Sequence, residues 1–513
     1  MPLRKTSTLS LSVIVPLLLT VFVAPVRADT QRPNIVYILA DDLGIGDVGA
    51  FNPQGKIATP NMDRLAAEGM RFTDAHSGSA VCTPTRYGVL TGRYAWRTRL
   101  QSGVLWGYSM PLISDGRMTV ASMLKQQGYN TACVGKWHLG LEWTRRDSAI
   151  ARTDSSKESW ENYDLSKPIV SGPLQVGFDY YFGISASLDM HPHVYIRNDR
   201  ATSQATRIIE GSKPRPFWRK GPVGDDFRHI EVLDTLTEKA VEYVASQDSE
   251  VPFFLYFPLT APHKPIMPEA RFQNQSGLND WADFVMQVDW TIGQVMSALE
   301  AKGLSENTLF IVTSDNGATP GANFGELGKK GHDPSAEFRG HKADIFEGGH
   351  RVAFIARWPA VVRGGTTCEQ TICHTDLLAT AAEITGIDLP DDAGEDSVSI
   401  LPALRKSATS SLREATVHHS INGSFAVRQG KWKLCLCPGS GGWSGPRPKQ
   451  ARDRKLPPVQ LFDLSADIEE QDNVFDKHPD VVRSLTALLQ QYIDEGRSTP
   501  GERQSNDRSI KLP

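Results

Sequence analysis

Four short apolar runs in this chain end in residues that can do chemistry. Ile35–Leu39 leads into Asp41-Asp42, and Thr131–Val134 into Gly135-Lys136-Trp137-His138. Phe253–Phe257 is followed by Thr260-Ala261-Pro262-His263, and Leu309–Val312 by Ser314-Asp315-Asn316-Gly317. Taken singly, Asp41-Asp42 reads as a cap and Asp315-Asn316-Gly317 as a turn. Adjacent carboxylates repel, however, and a third acid at another strand end calls for a cation between them. Asp41, Asp42, Asp315 and Asn316 offer only oxygen, which points to a hard ion, Ca²⁺ or Mg²⁺. A two-zinc site would place histidines among these ligands. A fifth feature is Cys82-Thr83-Pro84-Thr85-Arg86. Pro84 suits the first helical position, which puts Cys82 at a helix N-terminus that favours negative charge, with Arg86 about one turn on.

The elements that must position these residues alternate. Between about residues 33 and 400, apolar runs (Val352–Ile355 is a fifth) are interspersed with helical stretches at Pro60–Glu68, Val120–Gln126, Asp234–Ala245, Trp281–Ala301 and Thr375–Thr385. That pattern predicts an α/β fold with a large mixed, mostly parallel sheet between helices, where ligands bind beyond the carboxyl ends of the strands. Residues 142–170 are polar and aperiodic, as in a long surface loop. After Leu401 the texture changes. A hairpin turns at Gly430, a further strand covers Val459–Leu464, and His478–Tyr492 has helical periodicity. The expected layout is a catalytic domain over 29–400 and a small antiparallel α+β subdomain over 401–513. Within the latter, the Gly/Pro/basic stretch 438–458 predicts a flexible loop, and the residues after about Gly501 a disordered tail.

These motifs, in this order, resemble those of the type I sulfatases, the formylglycine-dependent arylsulfatase family. The resemblance rests on Asp41-Asp42-Leu43-Gly44, Cys82-x-Pro84-x-Arg86 with Leu90-Thr91-Gly92-Arg93, and Gly135-Lys136-Trp137-His138. Thr260-Ala261-Pro262-His263, Ser314-Asp315-Asn316-Gly317 and Gly340-His341-Lys342 with Glu347-Gly348-Gly349-His350-Arg351 complete it, over about residues 32–400. It implies an alkaline-phosphatase-like fold and hydrolysis of sulfate esters, arylsulfatase-type, on sulfated glycans or aryl sulfates. It also implies a maturation enzyme that converts Cys82 to Cα-formylglycine, whose hydrate is the nucleophile, and one Ca²⁺ held by Asp41, Asp42, Cys82, Asp315 and Asn316.

By the same analogy Arg86 holds the hydrated aldehyde, and Lys136 and Lys342 clamp sulfate oxygens. His263 with Lys342 protonates the leaving alcohol. His138 takes the proton whose loss breaks down a sulfated hemiacetal. The loop carrying Asp189, His191 and His193, with Trp96-Arg97-Thr98 and Trp106, is similar to that of sulfatases acting on 6-sulfated galactose or N-acetylgalactosamine. Two other readings stay open on sequence alone: a phosphoric or phosphonic ester hydrolase of the same superfamily, and a non-catalytic protein that binds sulfated glycans.

Composition sets outer limits. The chain has 513 residues, 40% hydrophobic and 22% charged, with 43 Gly and 32 Pro. These values exclude a disordered, collagen-like or multi-pass membrane chain. Lys+Arg 55 against Asp+Glu 59 gives −4 and argues against a nucleic-acid partner. Arg4 and Lys5, an apolar run broken by Pro16, and Val26-Arg27-Ala28 describe a signal peptide over 1–28 cut after Ala28. The protein is therefore expected to be exported, to the periplasm, the medium or a lysosome-like lumen, and not to be integral to a membrane. Six cysteines in a chain of this length make no disulfide framework. Cys133 reads as a buried small hydrophobe, Cys435 and Cys437 lie along one strand face, and Cys368 with Cys373 is left open.

Overall fold

In the computed structural model, residues 1–3, 5 and 32–512 are described; the signal-peptide segment expected over 1–28 lies almost wholly outside them. The core of the molecule is a ten-stranded sheet. At its centre Thr308–Ser314, Asn34–Asp41, Phe253–Pro262, Asn130–Lys136 and Tyr180–Ile184 lie side by side, all parallel. Phe354–Arg357 pairs antiparallel with Thr308–Ser314, which makes the sheet mixed. The Val352–Ile355 run therefore starts its strand two residues late.

Both faces of the sheet are buried, and alternation along the strand divides the side chains between them. Ile35, Tyr37 and Leu39 join one core, together with Val89, Leu90, Val120 and Leu378 from the helices Cys82–Thr91, Val120–Gln126 and Leu377–Thr385. Val36, Ile38 and Ala40 join the other, against the helices Pro60–Glu68, Val232–Ala245 and Asp280–Ala301. Asn279 caps the longest of them by accepting a hydrogen bond from the Ala282 amide at 3.2 Å.

A separate four-stranded antiparallel sheet is formed by Thr416–His419, Phe425–Gln429, Trp432–Cys435 and Gln460–Asp463. The helix Pro479–Glu495 packs on one side of it, through Leu485 and Leu489, together with Tyr94 and Trp96. Ile345 and Phe346 fill the other side. From residue 32 onward the chain makes one compact unit. Trp96-Arg97-Thr98, grouped above with the substrate region, is structural: Trp96 is fully buried in this core, and Arg97 pairs with Asp396 at 2.8 Å.

Two segments are more ordered than their composition implies. Within 438–458, Pro448–Asp453 is helical, and the Trp443 and Ser444 amides donate to Asp344 Oδ1 at 2.7 and 3.0 Å. The last residues lie across the exit of the helix Cys82–Thr91: Asp507 pairs with Arg93 at 3.0 Å and Asn506 accepts from Arg97 at 3.0 Å. Buried arginines need such partners, and the tail supplies them. None of the six cysteines is in a disulfide, and Cys133 lies among the sheet core residues. No helix among the described residues is long and apolar enough to cross a membrane.

Candidate active site

The strand order brings the polar strand ends together. Asp41 ends the strand Asn34–Asp41, whose neighbours carry His263 on one side and Asp315-Asn316 on the other. The next strand along ends in Lys136, two residues before His138. The Asp315 amide donates to the Ala40 carbonyl at 3.0 Å, so the Asp-Asn pair continues the parallel ladder. Gly317 follows because a Cβ there would stand 1.8 Å from the Gly348 carbonyl oxygen. A Gly317→Ala change should displace Asp315 and Asn316 and lower kcat/KM about a hundredfold, measurable with an aryl sulfate.

The helix Cys82–Thr91 is buried at every residue, and its first residue is Cys82; Pro84 sits third rather than first, where a missing N–H is still harmless. The Cys82 sulfur lies 3.5 Å from Asp41 Oδ1 and 3.5 Å from Lys342 Nζ. Burial pushes this thiol up to about 12, against the pull of Lys136 and Lys342. As a thiol, Cys82 is therefore a poor nucleophile at neutral pH.

Three carboxylates face three cations. Lys136 Nζ is 2.7 Å from Asp41 Oδ2, Lys342 Nζ 2.6 Å from Asp42 Oδ1, and Arg86 Nη2 2.7 Å from Asp315 Oδ2. Burial acts to raise all three acids. At Asp41 it is outweighed by Lys136, Arg86 and Lys342, which hold the carboxyl well below its usual range. At Asp42, burial together with Asp41 and Asp315 prevails over Lys342 and sets it at about 6. Asp315 is likewise raised, by burial and Asp41. Asp42 also has a left-handed backbone, φ 71°, a conformation that costs on the order of 1–3 kcal/mol and clusters at functional sites.

These residues fit a hard cation. Asp41, Asp42, Cys82 and His263 each place a ligand atom within 4.8 Å of the others. Asn316 donates through Nδ2 to Asp42 Oδ1 at 2.8 Å, which leaves its buried Oδ1 without a hydrogen-bond partner among the described residues. A buried amide oxygen with no donor, amid repelling carboxylates, is the oxygen-rich environment that Ca²⁺ takes.

The histidines have fixed tautomers. His263 Nδ1 donates to the Lys264 carbonyl at 2.7 Å, leaving Nε2 bare and 3.7 Å from Asp42 Oδ2. His138 Nε2 donates to the Leu105 carbonyl at 2.8 Å, leaving the buried Nδ1 without a partner among the described residues. Burial and Lys342 lower His263, and burial with Lys136 and Arg86 lowers His138, so both rings are neutral.

Beside the site lies a second group of side chains. Asp189 is buried and paired with Arg219, with Lys264 Nζ 3.7 Å away; its Oδ1 has no hydrogen-bond partner among the described residues. The Arg219 guanidinium lies 4.9 Å from the Trp106 ring and 5.1 Å from the Phe217 ring. Chain continuity ties this rim to the chemistry, since Lys264 follows His263 and Trp106 follows Leu105. His191 stacks edge-on against Trp160 at 5.1 Å. His193 is kept out of the rim: it is 1% exposed, and its nitrogens meet the Arg219 carbonyl at 2.9 Å and His229 at 3.2 Å. Sequence alone does not single out Arg219, Phe217 and Lys264. The signal available is the basic–aromatic run Arg215-Pro216-Phe217-Trp218-Arg219-Lys220.

A sulfatase family profile matches residues 33–387, the span that builds this site. The chain belongs to the sulfatase family. This sulfatase is 35% identical to an N-acetylgalactosamine-6-O-sulfatase of Bacteroides thetaiotaomicron over 90% of this chain and 93% of that protein. It is 31% identical to bovine arylsulfatase A over 92% and 89% of the two chains. Among solved structures, one from a study of glycosaminoglycan metabolism in B. thetaiotaomicron superposes with a TM-score of 0.77 at 33% identity, covering 90% of this chain and 99% of that one. The sulfatase is thus a sulfuric ester hydrolase.

Proposed function

We propose that this sulfatase removes 6-O-sulfate from galactose or N-acetylgalactosamine in sulfated glycans, using formylglycine at position 82 and one Ca²⁺. The buried Cys82 at a helix N-terminus, among three carboxylates, two lysines and an arginine, carries the reading. Its thiol is held neutral, so the family's nucleophile requires the oxidised residue. The formylglycine hydrate would supply one hydroxyl for attack on sulfur and a second whose ionisation later expels sulfate. Ca²⁺ held by Asp41, Asp42, Asp315, Asn316 and residue 82 would favour the ionised hydroxyl and draw charge from a sulfate oxygen.

The chain's own groups do the rest. Lys136 and Lys342 hold sulfate oxygens as charge moves onto them. Arg86 orients Asp315 through two hydrogen bonds, 2.7 and 3.2 Å long. The leaving oxygen receives its proton from the Lys342–His263 pair. Lys342 is the charged member, because Asp42 and Asp41 raise its ammonium against burial, whereas His263 is neutral. His138, with Nδ1 bare and neutral, accepts the proton of the second hydroxyl.

The substrate assignment draws on the relatives named for N-acetylgalactosamine-6-sulfate and on the Asp189–Arg219 pair, which offers a sugar hydroxyl both an acceptor and a donor beside aromatic surface. An exported protein matured by a formylglycine-generating enzyme fits this use. Activity on a panel of defined sulfated saccharides tests it: 6-sulfated galactosides should turn over and 4-sulfated ones should not, with aryl phosphates slower than aryl sulfates. Preference for another sulfate position would overturn the substrate assignment. Arg219→Gln should raise KM for the saccharide about tenfold, as for a charge-assisted contact of about 1.5–3 kcal/mol, and leave a small aryl sulfate unaffected.

A further inference from the structure

The geometry points to Thr83 as a positioning residue that sets the tautomer of His138. Thr83 is the second residue of the helix that begins at Cys82, and it is fully buried. Its Oγ1 accepts the Leu105 amide hydrogen bond at 3.1 Å. The carbonyl of the same Leu105 accepts from His138 Nε2 at 2.8 Å. One side chain beside the nucleophile position therefore holds the amide on one side of the Leu105 Cα, and the carbonyl on the other side of that Cα binds the proton on Nε2. Nδ1 is left bare, buried and without a partner among the described residues.

The arrangement matters because a neutral imidazole can be a base at only one nitrogen. The His138 backbone has φ 55° and its amide donates to the Ser185 carbonyl at 3.0 Å, so the main chain is held as well. Without the Thr83 acceptor, the Leu105 amide would be buried and unpaired, and residue 105 would shift to find another partner. A shift of the Leu105 Cα carries its carbonyl off Nε2, and the ring could carry its proton on either nitrogen. The step affected is the second half of turnover. There, the hydroxyl remaining on the residue-82 carbon gives its proton to His138 Nδ1. Its oxygen becomes the aldehyde oxygen, and the carbon–oxygen bond to sulfate breaks with the electron pair leaving on sulfate.

This inference rests on the role given to His138 above, and the test separates the two. Slowing only the second step lowers kcat and KM together and leaves kcat/KM unchanged, since kcat/KM reports the first step. Thr83→Val, near-isosteric but without the acceptor, should lower kcat and KM about tenfold or more. It should also show a burst of one phenol per formylglycine with an aryl sulfate, rates being normalised to formylglycine content by mass spectrometry. Thr83→Ser, which keeps the acceptor, should show no burst.

A readout independent of turnover is the ¹⁵N spectrum of histidine-labelled protein carrying Cys82→Ala, with the His138 signals identified by their loss in His138→Gln. In that background, protein that keeps Thr83 and protein carrying Thr83→Ser should both give one bare Nδ1 and one protonated Nε2. Thr83→Val should give averaged or reversed signals. If His138→Gln gives the burst but Thr83→Val keeps the Nδ1-bare spectrum, or loses kcat/KM without a burst, the inference is overturned. If His138→Gln itself lowers kcat/KM with no burst, the role of His138 is wrong and the inference falls with it.

Discussion

Cys82→Ala is expected to abolish sulfate-ester turnover, by on the order of 10⁴-fold or more, as for loss of a nucleophile, while the protein still folds. The two halves of this expectation have separate physical origins. Activity is lost because the surrounding groups only orient and stabilise; without a nucleophile on the sulfur they have nothing to act on. Folding survives because the polar contacts of the thiol among the described residues are two long ones, 3.5 Å each to Asp41 and Lys342, whereas the ion pairs of Asp41, Asp42 and Asp315 do not involve it. The circular dichroism spectrum and the unfolding midpoint should stay close to wild type. A variant retaining more than about a hundredth of the activity would remove residue 82 from the nucleophile's place.

Lys433→Met is expected to have the largest effect on stability. Lys433 is fully buried in the strand Trp432–Cys435, with Glu347 Oε1 at 3.0 Å, Glu470 Oε1 at 2.8 Å and His350 Nε2 at 3.0 Å. His350 in turn meets His76 at 3.1 Å, and His76 meets Asp74 at 2.9 Å. Arg351 and Arg428 close the network on Asp74. It joins the C-terminal sheet to the segment Glu347–His350, a few residues beyond Lys342. Removing the ammonium leaves two buried carboxylates facing each other, which costs about 3–5 kcal/mol, a large share of a typical folding stability of about 5–15 kcal/mol.

The effect should depend on pH. Glu470 already sits at about 7, raised by burial and Glu347 against Lys433. In the variant it rises further, so the folded state holds a proton that the unfolded chain releases above about 4.5. Stability then falls as pH rises through that window. The destabilisation measured by urea unfolding should accordingly be larger at pH 8 than at pH 5.5. Equal losses at both pH values would show that Lys433 does not act by neutralising these acids.

What could be read from sequence followed periodicity. The apolar runs became parallel strands because alternate residues such as Ile35 and Val36 each face a core, and the polar residues that break each run therefore fall at one edge of the sheet. That alone brings Asp41, Lys136, His263 and Asp315 together. Arg219 and Asp189 lie 30 residues apart in irregular chain, where no period links them. A lysine between Trp432 and Leu434 has the pattern of a solvent-facing position, yet both faces of that strand are covered, by Leu485 and Leu489 on one side and Phe346 on the other. The ordering of 438–458 and of the tail likewise depends on distant partners, Asp344, Arg93 and Arg97, which local composition cannot show.

The proposed chemistry turns on the state of residue 82. Tryptic digestion of active, natively matured protein releases the peptide Phe72–Arg86, which carries that residue. Mass spectrometry of this peptide should show an aldehyde in place of the thiol, captured by a hydroxylamine probe, in a fraction that scales with specific activity across preparations. An unmodified, alkylatable Cys82 thiol in fully active protein would contradict it.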